Sequence, residues 1–142
     1  MNKRILHVDD SLLMLEMVST ELTKAGYEVV SLADPTKAIE TLTDLDIRVC
    51  LLDIKMPVLN GLQLLEKIKR FDGGIQAIML TGEVSQSSLL ESHRLGAEAC
   101  FFKPLENYEL LIESLDGTFT KVERWWKALE QLQNLPQEVG CM

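Results

Sequence analysis

Five short apolar runs alternate with five segments of helical periodicity along this chain of 142 residues. The runs cover residues 4–8, 27–32, 48–52, 75–80 and 97–102. Strict alternation of strand and helix predicts a doubly wound α/β fold, in which a parallel sheet of five strands carries helices on both faces. With right-handed crossovers, the strand order 2-1-3-4-5 places the carboxyl ends of the first and third strands side by side.

Turn and capping residues divide the C-terminal third of the chain. The Lys-Pro pair at 103–104 predicts the start of the fifth helix, and the Asp-Gly pair at 116–117 predicts its end. We therefore divide the chain into a domain of residues 1–117 and a helical extension of residues 118–142.

The extension predicts a separate amphipathic helix that ends at the Leu-Pro pair at 135–136. One stripe of this helix consists of Phe119, Val122, Trp126 and Leu129, with Trp125 and Leu132 beside it. The pattern permits three arrangements: packing back onto the domain, pairing with a second copy as a homodimer, or docking an output protein. We favour pairing, because five helices already cover both faces of the sheet.

Carboxylates, a hydroxyl and an ammonium follow four of the predicted strands. Asp9 and Asp10 come after the first strand, Asp53 after the third, Thr81 after the fourth and Lys103 after the fifth. The carboxyl ends of parallel strands share one edge, so we expect these side chains to converge in the crevice outside it. Three neighbouring carboxylates with a single lysine remain net negative, which favours a divalent cation with oxygen ligands, and Mg²⁺ suits this setting.

Asp53 is the best candidate for a nucleophile at this edge. Carboxylates form aspartyl-phosphates in phosphoryl transfer. Asp53 stands alone after the most apolar strand, whereas Asp9 and Asp10 form a pair suited to holding metal. Lys103 and the Thr81 hydroxyl would then contact an anionic group.

Composition excludes several other classes of function. The chain carries a net charge of −8, which argues against direct contact with nucleic acid, because that affinity comes from Lys and Arg neutralising phosphates. No apolar run approaches the ~20 residues needed to cross a bilayer, and the N-terminus reaches acidic residues too soon for a signal peptide. The three cysteines show neither metal-ligand nor disulfide spacing. We expect a cytoplasmic protein.

Four sequence motifs together resemble the receiver domain of bacterial two-component response regulators, of the single-domain, chemotaxis-regulator type. They are His-Val-Asp-Asp-Ser, Leu-Leu-Asp-Ile-Lys-Met-Pro-Val-Leu-Asn-Gly, Leu-Thr-Gly-Glu and Gly-Ala-Glu-Ala-Cys-Phe-Phe-Lys-Pro-Leu. The resemblance covers roughly residues 3–116 and implies a flavodoxin-like fold. It also implies a phosphorylation-dependent signalling protein that catalyses only the phosphorylation and dephosphorylation of its own aspartate.

The resemblance assigns a role to each site residue. Asp53 would accept a phosphoryl group from a phosphohistidine of a sensor kinase or phosphotransfer protein. Thr81 and Lys103 would each bind a phosphoryl oxygen, and the Lys103-Pro104 peptide is a candidate for the cis form. The metal ligands would be Asp10 directly, Asp9 mainly through water, Asp53, and Lys55 through its backbone carbonyl.

The sequence departs from the family at Cys100. Receivers usually have Tyr or Phe three residues before the lysine, and that ring swings inward when the threonine moves. Strand alternation places Phe101 on the opposite face from Cys100, so it does not substitute directly. Lys55 and Glu83 flank the site and either pair across it or remain two solvated charges.

Two further hypotheses compete with that of a complete single-domain signalling switch. A magnesium-dependent phosphatase of the haloacid dehalogenase type needs an Asp-x-Asp motif, which His-Val-Asp-Asp-Ser does not supply. A degenerate receiver that serves only as an interaction module is disfavoured by the intact Asp10, Asp53, Thr81 and Lys103. A fragment of a larger regulator is the remaining alternative, although the chain has the ends expected of a complete protein.

Overall fold

A computed structural model describes residues 2–83 and 85–135 of the chain. Within these residues one sheet consists of β1 at Arg4–Val8, β2 at Glu28–Leu32, β3 at Val49–Leu52, β4 at Gln76–Thr81 and β5 at Ala99–Phe102. Neighbouring strands pair in parallel in the order β2-β1-β3-β4-β5. The doubly wound, flavodoxin-like sheet and its strand order are confirmed.

Five α-helices connect and follow these strands. They are α1 at Leu12–Lys24, α2 at Ala38–Asp44, α3 at Gly61–Phe71, α4 at Gln86–Arg94 and α5 at Glu109–Gln133. A 3₁₀ turn at Pro35–Lys37 leads into α2. None of these helices combines the length and the apolar character that a bilayer span requires.

Alternate residues of the strands enter two separate cores. Leu6 and Cys50 pack with α2 and α3 on one face of the sheet. Ile5 and Val49 pack with α1 and α5 on the other face. The central strands are therefore buried on both sides, which explains their nearly continuous apolar sequence.

Helix α5 is one helix of 25 residues that passes through Gly117 without interruption. The helix end predicted at 116–117 is wrong, and the C-terminal amphipathic segment is present as the continuation of α5 rather than as a separate helix. A glycine inside a helix costs about 0.5–1 kcal/mol relative to alanine. Leu111, Leu115, Phe119 and Val122 are all buried, and each large side chain that leaves water contributes roughly 1.5–3 kcal/mol. Burial therefore outweighs the cost of the glycine.

The start of α5 also differs from the prediction. The Lys-Pro pair at 103–104 does not open the helix, because the Lys103 N–H donates to the Thr81 carbonyl at 2.9 Å and continues the pairing of β5 with β4. The Lys103-Pro104 peptide is cis, as the resemblance implied. Helix α5 begins at Glu109, whose N–H is capped by the side chain of Asn107 at 2.6 Å.

The proposed domain division between 117 and 118 falls inside α5, and that division stays a prediction. Helix α5 ends at Gln133, two residues before the predicted end. Pro136 and Cys141 lie outside the described residues.

Replacing Gly117 with alanine should stabilise the protein. A Cβ at this position would meet no atom within 4 Å, and alanine has the higher helix propensity. We expect Gly117→Ala to raise the free energy of unfolding by about 0.5–1 kcal/mol, measured by urea denaturation. Gly26→Ala is the control and should be destabilising, because Gly26 has a φ of 95°. A loss of stability in Gly117→Ala would show that α5 is not continuous.

Candidate functional site

Main-chain hydrogen bonds hold three of the predicted site residues at the carboxyl edge of the sheet. The N–H of Asp9 donates to the last residue of β2 at 3.1 Å, and that of Asp53 to the last residue of β1 at 3.0 Å. The N–H of Lys103 donates to Thr81 of β4 at 2.9 Å. Each of these residues thus continues the hydrogen bonding of the sheet by one residue beyond its strand, and the sheet fixes its backbone position.

The side chains of these residues converge. Carboxylate oxygens of Asp9, Asp10 and Asp53 lie within 4.8 Å of one another. Asp9 is fully buried and Asp53 is 4% exposed, whereas Asp10 faces solvent. The Lys103 Nζ lies 2.6 Å from Asp9 Oδ2 and 3.3 Å from Asp53 Oδ2. Four of the five side chains predicted to meet at this edge are therefore close together.

The charges of this cluster are only partly balanced. Burial raises the pKa of Asp53, and the neighbouring Lys103 ammonium acts in the opposite direction. The Asp53 Oδ1 atom is buried and accepts no hydrogen bond from the described residues. A buried carboxylate oxygen without a partner is costly. A hard divalent cation with oxygen ligands would supply that partner, so the residues present fit such an ion.

Thr81 and Glu83 form a short connected chain beside the cluster. Thr81 is the last residue of β4 and is fully buried, and its Oγ1 accepts from the Glu83 N–H at 3.0 Å. The Thr81 hydroxyl keeps its own proton, and a hydrogen bond from this side chain acts to lower the pKa of Asp53, so the proton lies where an anion bound at Asp53 could accept it. The Glu83 carboxylate accepts from the Ser88 hydroxyl at 3.1 Å. Lys55 is exposed, and it forms no ion pair with Glu83 in the described part of the chain.

Gly61 allows the loop after β3 to pack directly against Asp53. A Cβ at position 61 would lie 2.0 Å from the Asp53 carbonyl oxygen, so only glycine fits. The Gly61 N–H donates to the carbonyl of Ile54 at 2.7 Å. Asn60 caps α3 in a capping box with Gln63. The Asn-Gly pair, which the sequence marked only as a loop, is therefore a positioning element for Asp53.

His7 is a neighbour of the site whose environment the sequence did not reveal. It is fully buried in β1, and neither ring nitrogen has a hydrogen-bond partner in the part of the chain that the structure describes. The Nε2 atom lies 3.9 Å from Asp9 Oδ2. Burial lowers the pKa of His7 to about 4, although the Asp9 carboxylate opposes the shift. Residues two apart on a strand share a face, so the spacing of His7 and Asp9 was the available signal.

Cys100 lies in β5 on the core face that α2 and α3 cover, and Phe101 packs into the opposite core. The predicted alternation of these two residues is confirmed. Burial raises the pKa of the Cys100 thiol, so it is not an activated nucleophile.

A five-stranded parallel sheet with buried carboxylates after two interior strands and a lysine after an edge strand defines a class of signalling domains. The chain belongs to the response regulator receiver domain family, which matches residues 5–115. It is a receiver of two-component signal transduction, as the sequence motifs indicated.

Individual relatives agree with this assignment. The chain is 33% identical over 107 residues to the chemotaxis protein CheY of Thermotoga maritima, a match that covers 75% of this chain and 89% of that protein. A CheY-like receiver from Methanospirillum hungatei is 32% identical, with a TM-score of 0.80, over 87% of this chain and 98% of that one. The response regulator TrrA of Thermotoga maritima, solved in complex with Mg²⁺-BeF, is 28% identical, with a TM-score of 0.74, over 82% of this chain and 98% of that one.

The burial of His7 predicts a specific loss of stability in acid. Between pH 6.5 and 4 the unfolded chain binds a proton on this residue and the folded chain does not. The free energy of unfolding should therefore fall as the pH is lowered, by about 3 kcal/mol at pH 4 from this group alone. Urea denaturation with EDTA across this range should show the full loss in the wild type and a smaller loss in His7→Val. Parallel curves for the two proteins would contradict the prediction.

Proposed function

We propose that Asp53 is the phosphoacceptor of this receiver. One oxygen of its carboxylate lies 3.3 Å from the Lys103 ammonium, and the other has no hydrogen-bond partner among the described residues. The convergence of Asp53 with Asp9, Asp10 and Lys103 is the observation that carries the proposal. In the reaction an Asp53 carboxylate oxygen forms a bond to phosphorus while the P–N bond of a phosphohistidine breaks. The imidazole departs with the electron pair of that bond.

We propose that Asp9, Asp10 and Asp53, with the backbone carbonyl of Lys55, hold Mg²⁺. The oxygen donor set and the proximity of the three carboxylates support this assignment, and TrrA was solved with Mg²⁺-BeF. When bound, the ion would supply positive charge that offsets the negative charge of the carboxylates and of an incoming phosphoryl group. Asp9 is already engaged with Lys103 and with the Ser11 N–H at 2.9 Å, which favours Asp10 as the direct ligand.

Lys103 and Thr81 act on the transferred group. The Lys103 ammonium already reaches Asp53 at 3.3 Å, so it can neutralise charge on a phosphoryl group bound there. Thr81 retains a hydroxyl proton that it can donate to a phosphoryl oxygen. Burial of the Asp9 and Asp53 carboxylates keeps bulk water away from most of the site.

The protein partners are a sensor histidine kinase or phosphotransfer protein, which supplies the phosphoryl group, and a downstream protein. The receiver itself catalyses only the phosphorylation and dephosphorylation of Asp53. Glu106 precedes α5, and Glu109 and Glu113 lie in its first turns, with no basic residue between 104 and 116. A target that binds this face would therefore be basic. The receiver would occupy residues 1–117, with 118–142 as its extension.

Asp53→Asn should abolish phosphorylation. Incubation with a small phosphodonor and Mg²⁺ should add one phosphoryl group to the wild type, detected by intact-protein mass spectrometry. The amide cannot form the acyl phosphate, so the variant should gain nothing. Asp46→Asn is the matched control at the opposite edge of the sheet and should be labelled like the wild type. Label that persists on Asp53→Asn would overturn the assignment.

Because Cys100 stands where receivers usually have Tyr or Phe, we expect phosphorylation to activate this protein without a rotamer change of an aromatic side chain. With beryllofluoride as a phosphoryl mimic, the Thr81 loop and α4 should move while Phe101 keeps its place in the core under α1 and α5. Crystal structures with and without beryllofluoride test this, and Cys100→Tyr provides a comparison in which a ring can be buried. An inward swing of Phe101 or Phe102 would show that a neighbouring ring has taken over the switch.

A further inference from the structure

The second half of α5 lies against the amino edge of the sheet, opposite to the phosphorylation site. Lys121 Nζ lies 2.6 Å from Glu98 Oε1, in the residue that precedes β5. The Arg48 guanidinium, just before β3, lies 6.0 Å from the centroid of the Trp126 ring. Phe119 and Val122 are buried against the domain. The helix is therefore anchored as far as Val122, and its direction beyond that point is fixed.

Beyond this anchor α5 presents an apolar surface that residues 2–83 and 85–135 leave exposed. We define the distal segment as residues 123–135. Trp125 is 70% exposed, Leu132 is 60% exposed, Leu135 is 49% exposed and Leu129 is 47% exposed. Trp125, Leu129 and Leu132 follow one another at intervals of four and three residues, which is the spacing of a helix–helix seam.

The size of this surface exceeds what a monomer normally leaves in water. An aromatic side chain covers about 150–250 Å² and a leucine somewhat less, so the exposed fractions of the distal segment amount to roughly 500 Å². Two such surfaces facing each other would bury roughly 1,000 Å², which is the size at which specific protein interfaces begin. A second copy of the chain thus supplies the area that a stable pairing needs.

The charge distribution also favours a second copy at this place. The chain as a whole carries −8, so most approaches between two copies are repulsive. In the distal segment two cations offset two carboxylates, namely Arg124 and Lys127 against Glu123 and Glu130. The segment is neutral, and two copies can bring it together without like-charge repulsion.

We propose that this receiver forms a two-fold homodimer through the distal segment of α5, whether or not Asp53 is phosphorylated. A groove of about 500 Å³ runs beside the seam, between Trp125 and Leu129 on the helix and Asp72 and Gly74 on the domain. In a two-fold pair the exposed leucines of each copy enter the groove of the other. Because the interface lies at the edge opposite to Asp53, it leaves the site and the face of α4 and β5 accessible.

The distal segment contains both tryptophans of the chain, so fluorescence reports on the interface directly. Light scattering of the full chain at tens of micromolar should give the mass of a dimer. Dilution should produce the monomer together with a shift of tryptophan emission to longer wavelength. Leu132→Glu should weaken dimerisation by about tenfold or more, because it places an unpaired charge in the seam. Leu129→Glu should have the same effect.

The control is Gln131→Glu, which adds the same charge on a different face of the helix and should leave the dimer unchanged. Circular dichroism establishes that each variant is folded. A monomeric full-length chain at tens of micromolar overturns the proposal, as does a Leu132→Glu variant that dimerises like the wild type. Beryllofluoride with Mg²⁺ should change the dissociation constant of the dimer by less than about twofold. Dimerisation seen only with beryllofluoride would also overturn the proposal. Phosphoryl uptake measured on the same samples shows separately whether the assignment of Asp53 holds.

Discussion

The Lys103 ammonium between two buried carboxylates is the interaction on which the rest of the structure depends. Asp9 and Asp53 could not both remain buried and charged without an opposite charge in contact with them. The three residues come from the ends of β1, β3 and β5, so only a parallel sheet in the observed order brings them together. The tight packing of Gly61 against Asp53 serves the same constraint, because it closes the loop beside the charge cluster.

Most of the fold and the composition of the site could be predicted from the sequence. Strands buried on both faces appear in the sequence as continuous apolar runs. Acidic residues directly after such runs indicate a functional site, because a buried strand seldom ends in an unpaired charge. The course of α5 could not be predicted in this way. The Asp-Gly pair is a local preference of about 1 kcal/mol. The burial of Phe119 and Val122 is a tertiary effect that the local pattern does not contain.

Other features depend on close approaches that residue type alone does not specify. His7 occupies an alternating core position, so its sequence context does not show that both ring nitrogens lack hydrogen-bond partners among the residues described. Val58 has a φ of 71°, which is rare for a β-branched residue, and the Leu59 N–H closes a tight turn around it by donating to the Pro57 carbonyl at 2.8 Å. Strain of this kind is found near functional sites, where surrounding contacts enforce it.

Because α5 is continuous, the number of residues in it sets both the distance of its C-terminal side chains from the receiver and the direction in which they face. Each residue of an α-helix turns the following residues by about 100°. One residue inserted after Gly117 would rotate Trp125 and Leu132 away from their present direction, while an insertion of seven would nearly restore it. Related chains that keep this apolar surface should therefore differ in the length of α5 after Gly117 only by multiples of two helical turns. Chains with other lengths of α5 should have lost the apolar residues of the surface.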